Sequence, residues 1–265
     1  MDKAVVVINH FYNEQFLMPY WLDHYLRIAD HIVMLDYDSN DNSSEIINTL
    51  GQGKCEVRNM GSRFDSREVE LAIQQVEKEF PDAWKATVNT TEFLVCPFLR
   101  ELLRKTPHRA IEFSNYIMVD MKEDSPLDSS KPLLLQRPYG YKDVGRDRGG
   151  NRYLHSGRPD EIGDGKSVYG LGRDTCTLPI AKPVGYFLAW WGFSPWPQSI
   201  PRKLQMQQRL SDTDKNKGYG RQHTGPDYSP LTIEELWKRY YWHRDKALDL
   251  MEDPMKAEAI KRFYD

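Results

Sequence analysis

The chain has 265 residues, of which 40% are apolar and 28% charged, with a formal net charge of −3. That composition supplies a full core and argues against long disordered tracts. The slight acidity leaves no global field for a nucleic-acid backbone, so no nucleic-acid partner is expected and any anion must be held by a local cluster. Cys55, Cys96 and Cys176 are odd in number and lack CxxC spacing, which speaks against a disulfide framework or a thiolate zinc site and for a reducing compartment. With no apolar run of about 18 residues, neither a signal peptide nor a membrane-spanning helix is expected, and the location read from this is cytoplasmic.

The β-branched run from Ala4 to Ile8 predicts a strand buried on both faces, ending in the polar group Asn9, His10, Asn13 and Glu14. Leu17, Trp21, His24, Tyr25 and Ile28 mark a helix face within 16–29, and 31–35 is again a strand, making a β-α-β unit. The segment 36–44 is turn chemistry before a helix that Gly51 stops, and 54–57 is a third strand. Val69, Ala72, Ile73 and Val76 form one stripe of a helix over 66–80, closed by Pro81, and 84–88 returns as a strand. A short helix is expected over 97–105, strands over 110–119 and 133–137, and a long Gly-, Arg- and Asp-rich loop over 139–172. A last strand is read over 184–191, followed by helices over 231–251 and 256–264. The expected class is α/β, a mostly parallel central sheet flanked by helices, with a more irregular mixed second half and C-terminal helices.

In such a sheet ligands bind beyond the carboxyl ends of the strands, so Asn9, Asp36, Asp38, Asn59 with Arg63, and 89–92 form one shelf. Carboxylates there can accept from ribose or base, and Arg63 can neutralise a phosphate. Asp41 and Ser43 read more simply as helix caps.

Asn13-Glu14, Trp21, His24-Tyr25, the Asp36–Ser43 segment and the stretch from Trp84 through Asn89-Thr-Thr-Glu92-Phe to Leu94 together resemble the glycosyltransferase family 2 superfamily over roughly the first hundred residues. The resemblance implies a Rossmann-like GT-A fold, a nucleotide-sugar donor and a divalent metal held at a D-x-D motif. Asn89 and Thr91 stand where that motif carries its aspartates, and Glu92 alone retains a carboxylate. A weak requirement for Mn²⁺ or Mg²⁺ is therefore expected, resting on Glu92 with His223 or His155, unless cationic side chains replace the metal.

In the second half, Arg146, Arg148, Arg152, Arg158 and Lys166 form a local basic set, with Asp143, Asp147 and Asp160 among them, that could close over a diphosphate. Trp190, Trp191, Phe193 and Trp196 form an aromatic segment on which an acceptor sugar can stack, and Trp191 is taken as the acceptor residue. Asp212 or Asp214 would serve as catalytic base in an inverting transfer. The aromatic and basic run 237–244 reads as packing against the sheet, with peripheral membrane contact the other reading.

The expectation is a GT-A domain over 1–230, with a nucleotide-sugar half (1–107) and an acceptor half (108–230), then a helical extension over 231–265. The expected activity is transfer of a sugar from a nucleotide diphosphate sugar to a glycan or glycolipid hydroxyl, in polysaccharide or glycan synthesis. The rivals are a catalytically inactive donor-binding relative, a metal-dependent phosphoesterase or nucleotidyltransferase, and a carbohydrate-binding module.

Overall fold

The computed structural model describes residues 3–62, 64–142, 150–157, 168–169 and 172–265. Strand β1 (Val5–Phe11) is apolar on both faces and lies inside the sheet, parallel to β2 (His31–Asp36) and to β4 (Trp84–Thr87). Strand β3 (Cys55–Asn59) extends the parallel edge beyond β2. Alternation along β1 splits the core in two. Val5 and Val7 pack with Trp21, Leu22 and Tyr25 of α1 (Met18–Leu26) and Ile47 of α2 (Ser43–Leu50). Val6 and Ile8 pack on the opposite face with Val69, Ile73 and Val76 of α3 (Ser66–Glu79). Helix α3 starts where the Asp65 side chain accepts from the backbone N–H of Arg67 and Glu68 at 3.0 and 3.4 Å.

The second half turns the sheet mixed. It contributes β5 (Glu92–Val95), α4 (Leu99–Lys105), β6 (Ala110–Met118), α5 (Leu133–Gln136), β7 (Tyr139–Lys142), β8 (Arg152–His155), β9 (Ile180–Ala181) and β10 (Phe187–Trp190). Then come α6 (Ser199–Gln208), α7 (Asp212–Asn216), α8 (Ile233–Arg244), β11 (Leu248–Asp249) and α9 (Pro254–Tyr264). Strand β8 runs antiparallel between β4 and β6, and so joins the parallel edge to the rest. The other end of β6 pairs with β7 and β10, and β10 pairs antiparallel with β5.

Several elements differ from the periodicity reading. The segment 133–137 is a single helical turn, because Leu133 and Leu134 are both buried while Leu135 is exposed, a pattern that alternation cannot produce. Strands β7 and β8 lie within the expected loop; four residues each, they are too short to show a period and exist because β6 offers them an edge. The helix expected over 231–251 stops at Arg244, and Leu248–Asp249 pairs with Gly140 and Tyr139 instead.

The C-terminal helix is locked to α1 by His24. This buried imidazole meets Tyr264 Oη at 2.8 Å and the Leu94 carbonyl at 3.1 Å, and stacks on Phe263 at 4.3 Å. Burial lowers its pKa to about 3, outweighing the Leu94 carbonyl. Between about pH 6.5 and 3 the unfolded chain therefore binds a proton that the folded one refuses, and stability must fall as pH falls through that window. Urea melts from pH 7 to pH 5 are expected to show a decline to which His24 adds up to about 1.4 kcal/mol per pH unit. His24→Phe should flatten the slope by that amount; an unchanged slope would show that His24 is not the group that titrates.

Candidate functional site

Strands β1, β2 and β4 end on one edge of the sheet, and the residues just past them face a second group supplied by the later chain. Glu92 opens β5 and pairs in register with Trp190 at the end of β10. Its carboxylate is buried and fully engaged. Oε2 accepts from Asn89 N at 2.8 Å and Arg152 Nε at 2.9 Å, while Oε1 accepts from Asn89 Nδ2 at 3.0 Å and Arg152 Nη2 at 2.6 Å. Burial alone would raise this carboxyl; the Arg152 guanidinium and the Asn89 N–H reverse that and hold it below its ordinary range. Arg152 also reaches Asp174 at 2.7 Å. Arg173 donates to Glu70 of α3 at 2.7 Å and to the Asn89 side-chain oxygen at 3.2 Å.

Helix α6 adds two cations to this edge. Arg202 Nε bonds Glu14 at 2.6 Å, just beyond β1. Lys203 is buried with its ammonium 4.2 Å from the Phe193 ring centroid and 5.7 Å from that of Trp190. Burial, with Arg202 and Arg239 nearby, lowers its pKa to about 7. Burial and the charges of Lys203, Arg202 and Arg239 lower His223 to about 3. His10 is driven well down by burial and by Arg173, Arg202 and Arg152, and its Nδ1 is buried without a hydrogen-bond partner. Two imidazoles are thus held neutral inside a ring of guanidinium and ammonium groups.

Beside the cations lies an aromatic group. Tyr12, Tyr37 and Phe64 pack around the apolar face of β1 and α3, and His10 meets Tyr37 and Phe64 at 6.4 and 6.1 Å. Arg209 stands over the Tyr12 ring at 3.6 Å and donates to the Tyr37 and Ser62 carbonyls.

The residues singled out from the sequence fare differently. Asn89 and Glu92 lie at the centre of the cluster, but the metal set Glu92, His223 and His155 does not assemble. His155 is three residues from Arg152, so alternation along β8 turns it to the other face, where its imidazole meets Glu77 at 3.1 Å and Tyr169. With four donors on the Glu92 oxygens, and a guanidinium among them, the position does not fit a hard cation. No group of three or more His, Cys, Asp or Glu side chains suited to a metal occurs among the described residues. Asp36 closes its own loop, accepting from Ser39 N at 2.9 Å and Ser44 Oγ at 2.8 Å. Asp38 is exposed in a left-handed conformation, and Asn9 braces β1 to the Val88 carbonyl. Thr91 is buried and its carbonyl accepts from Trp191 N. Trp191 is itself fully buried against Phe93, so an acceptor sugar cannot reach its face; Trp190, Phe193 and Trp196 are the partly exposed rings. Asp214 is buried and accepts from Ser66 N and Oγ, tying α7 to α3, whereas the Asp212 side chain is 96% exposed beside Lys215. Neither Asp212 nor Asp214 is thereby held as a base against the cluster. Arg63 and the loop residues Asp143, Arg146, Asp147, Arg148, Arg158, Asp160 and Lys166 lie outside the described residues.

Arg173, Arg202, Lys203, Glu14 and His10 were not singled out for binding. No local signal in the sequence marks them; it is the structure that forms α6 and buries both of its polar i, i+4 positions Lys203 and Gln207. A helix that buries polar side chains is lining something other than a core. A groove of about 570 Å³ between 102–108 and 180–183 lies at the opposite end of the sheet, where β6 begins, away from this cluster.

Breaking the Glu92–Arg152 pair strands a buried carboxylate. Arg152→Met is expected to destabilise the fold by about 3–5 kcal/mol in urea melts. The double change Glu92→Gln with Arg152→Met should recover most of that loss, because no charge is then left unpaired; equal destabilisation of the single and double variants would refute the pairing.

No family model matches the chain, and no curated protein matches it. Among solved structures, the mannosyltransferase PcManGT of Pyrobaculum calidifontis, in complex with GDP-Man and Mn²⁺, is 13% identical with a TM-score of 0.44, covering 98% of this chain and 75% of that one. S. aureus TarS residues 1–349 is 11% identical with a TM-score of 0.43, covering 98% and 89%. A glucose-1-phosphate thymidylyltransferase assignment from Bacillus anthracis is 9% identical with a TM-score of 0.40, covering 76% and 93%. At these identities the likeness is one of backbone course, and no site residue carries over from it; what stands for this chain itself is a mixed α/β sheet, parallel at one edge, with a cationic cluster at its strand ends.

Proposed function

We propose that the chain is a GT-A glycosyltransferase that takes a nucleotide sugar as donor and a glycan or glycolipid hydroxyl as acceptor. The observation that supports this best is the juxtaposition, at one set of strand ends, of an aromatic group and a cluster of buried and half-buried cations. A nucleotide sugar has the matching order of parts: a flat base for the partly exposed Tyr12 and Phe64, and a diphosphate for Arg173, Arg202 and Lys203. The sugar then lies toward Trp190 and Phe193, whose rings can carry the apolar face of an acceptor. In the transfer, the acceptor oxygen forms a bond to the anomeric carbon as the bond from that carbon to the β-phosphate oxygen breaks. The electron pair leaves with the phosphate, and the hydroxyl proton passes to solvent. The chain's part is to orient the two reactants and to hold the charge that grows on the leaving group.

A domain division near residue 230 does not separate the binding parts, since β11 and α9 are built into the same sheet and core as β7 and α1. A lipid-linked acceptor would meet the outer face of α8, where Ile233, Trp237, Tyr241 and Trp242 are exposed beside Lys238 and Lys246. No helix among the described residues is long and apolar enough to cross a membrane. A second reading, a relative that binds donor without transferring the sugar, is favoured by Asn89 and Thr91 in place of a carboxylate pair; release of free sugar from donor separates the two.

UDP-, dTDP- or GDP-linked sugar is expected to raise the melting temperature while free sugars do not, and at a hundredfold excess over its Kd the stabilisation should be about 2.7 kcal/mol. Tyr12→Ala should weaken that donor roughly tenfold or more through lost base stacking. Absence of any shift with the whole nucleotide-sugar panel would sink the donor reading.

A further inference from the structure

The position that would have to hold a divalent metal is instead locked by guanidinium groups. Both Glu92 oxygens are engaged by Arg152 and Asn89, and the Asn89 side-chain oxygen is taken by Arg173. The cations around it are not all neutralised. Arg152, Arg173 and Arg202 each have a carboxylate partner, in Glu92 with Asp174, Glu70 and Glu14 respectively, whereas Lys203 has none among the described residues. A buried lysine whose ammonium lies against two aromatic rings, with no carboxylate within ion-pair distance among the described residues, is a standing cost to the fold.

Unfilled polar atoms point the same way. Among the described residues Arg202 bonds Glu14 through Nε alone, and Arg173 Nε and His10 Nδ1 are buried without a hydrogen-bond partner. These groups come from three separate parts of the chain: β1, the segment after β8, and two successive positions of α6, with Glu14 and Glu70 aiming the two guanidinium groups. A structural network that existed only to join these elements would satisfy its own donors.

We propose that Arg173, Arg202, Lys203 and His10 form a metal-free anion site that takes the diphosphate of a nucleoside diphosphate, with Lys203 supplying the uncompensated charge. This rests on the donor reading above and deepens it. In the transfer the bond from the anomeric carbon to the β-phosphate oxygen breaks and its electron pair stays on that oxygen, so one further negative charge appears on the diphosphate. Fixed cations placed before that charge develops stabilise it without reorganising, which is the part a divalent ion plays elsewhere. The pKa of Lys203, lowered by burial and by Arg202 and Arg239, fits a group waiting for an anion: Glu14 is the carboxylate that opposes this shift, and His223 faces it as a neutral imidazole.

The test is calorimetric binding of UDP, GDP and dTDP, and of the corresponding nucleosides, to the full chain in excess EDTA and in excess Mn²⁺. At least one nucleoside diphosphate should bind in EDTA with a Kd within about threefold of that in Mn²⁺, a difference under about 0.7 kcal/mol. Lys203→Met should weaken it at least tenfold while leaving the nucleoside unchanged, and Lys203→Arg should restore most of the affinity. Lys203→Met should also melt at or above the parent chain, since it removes an unpaired buried charge, whereas a merely structural lysine would lower the melting point on removal. Binding seen only with Mn²⁺, or unaltered by Lys203→Met, overturns the metal-free site and leaves the donor reading standing. Failure of every nucleoside diphosphate under both conditions overturns the donor reading and this inference with it.

Discussion

The Glu92–Arg152 ion pair is the constraint on which the rest of the site depends. Both charges are almost wholly buried, and in that setting each is tolerable only because the other is present with well-formed hydrogen bonds. The pair bridges β5 and β8, which are not neighbours in the sheet, and it carries Asn89 on one side and Asp174 on the other. Through Asn89 it reaches Arg173, and through Arg173 the first turns of α3. Such a pair adds little net stability over an apolar replacement, but it determines where its neighbours stand. Here it determines that the loop after β4 carries amide and guanidinium groups at the strand ends instead of free carboxylate oxygens.

The second organising feature is the crowding of like charge. Burial disfavours the charged form of His10 and His223, and Arg173, Arg202 and Arg152 around the first and Lys203, Arg202 and Arg239 around the second add to it, so both imidazoles stay neutral. Cations in a poorly screened enclosure repel, and the arrangement persists because Glu14, Glu70, Glu92 and Asp174 are interleaved among them. Helix α6 is bound into this by its charges more than by its core. Arg202 and Arg209 tie it to the loops after β1 and β2, and Gln207 accepts from the Leu231 backbone N–H. A helix held by such contacts can admit an anion among them without uncovering apolar surface.

Much of the first half was legible because local signals and tertiary structure agree there. The β-branched run of β1 needs two covered faces and obtains them from α1 with α2 and from α3. The stripe Val69, Ile73, Val76 has one apolar side and buries it. The shelf at the strand ends followed from topology, and Asn89 with Glu92 was found there because strand and loop positions could be counted along the chain. The second half was less legible. Strands of four residues or fewer, such as β7, β8, β9 and β11, carry no period of their own and form only where β6 and β7 present an edge.

The sequence by itself determined the α/β character, the parallel edge and the strand ends that form the shelf, because each follows from residue type and spacing along one stretch of chain. Only the tertiary structure decided which distant side chains face that shelf. Arg173 and Lys203 come from segments more than 80 residues beyond Asn89 in the chain, and no local pattern distinguishes them from solvated cations. Alternation along β8 sent Arg152 to Glu92 and His155 to Glu77, and the burial of Trp191 left Trp190 and Phe193 to face Lys203. The physical reason is that charge complementarity is satisfied in space and carries no period in sequence, so a cluster held by ion pairs becomes visible only when the chain has brought its members together.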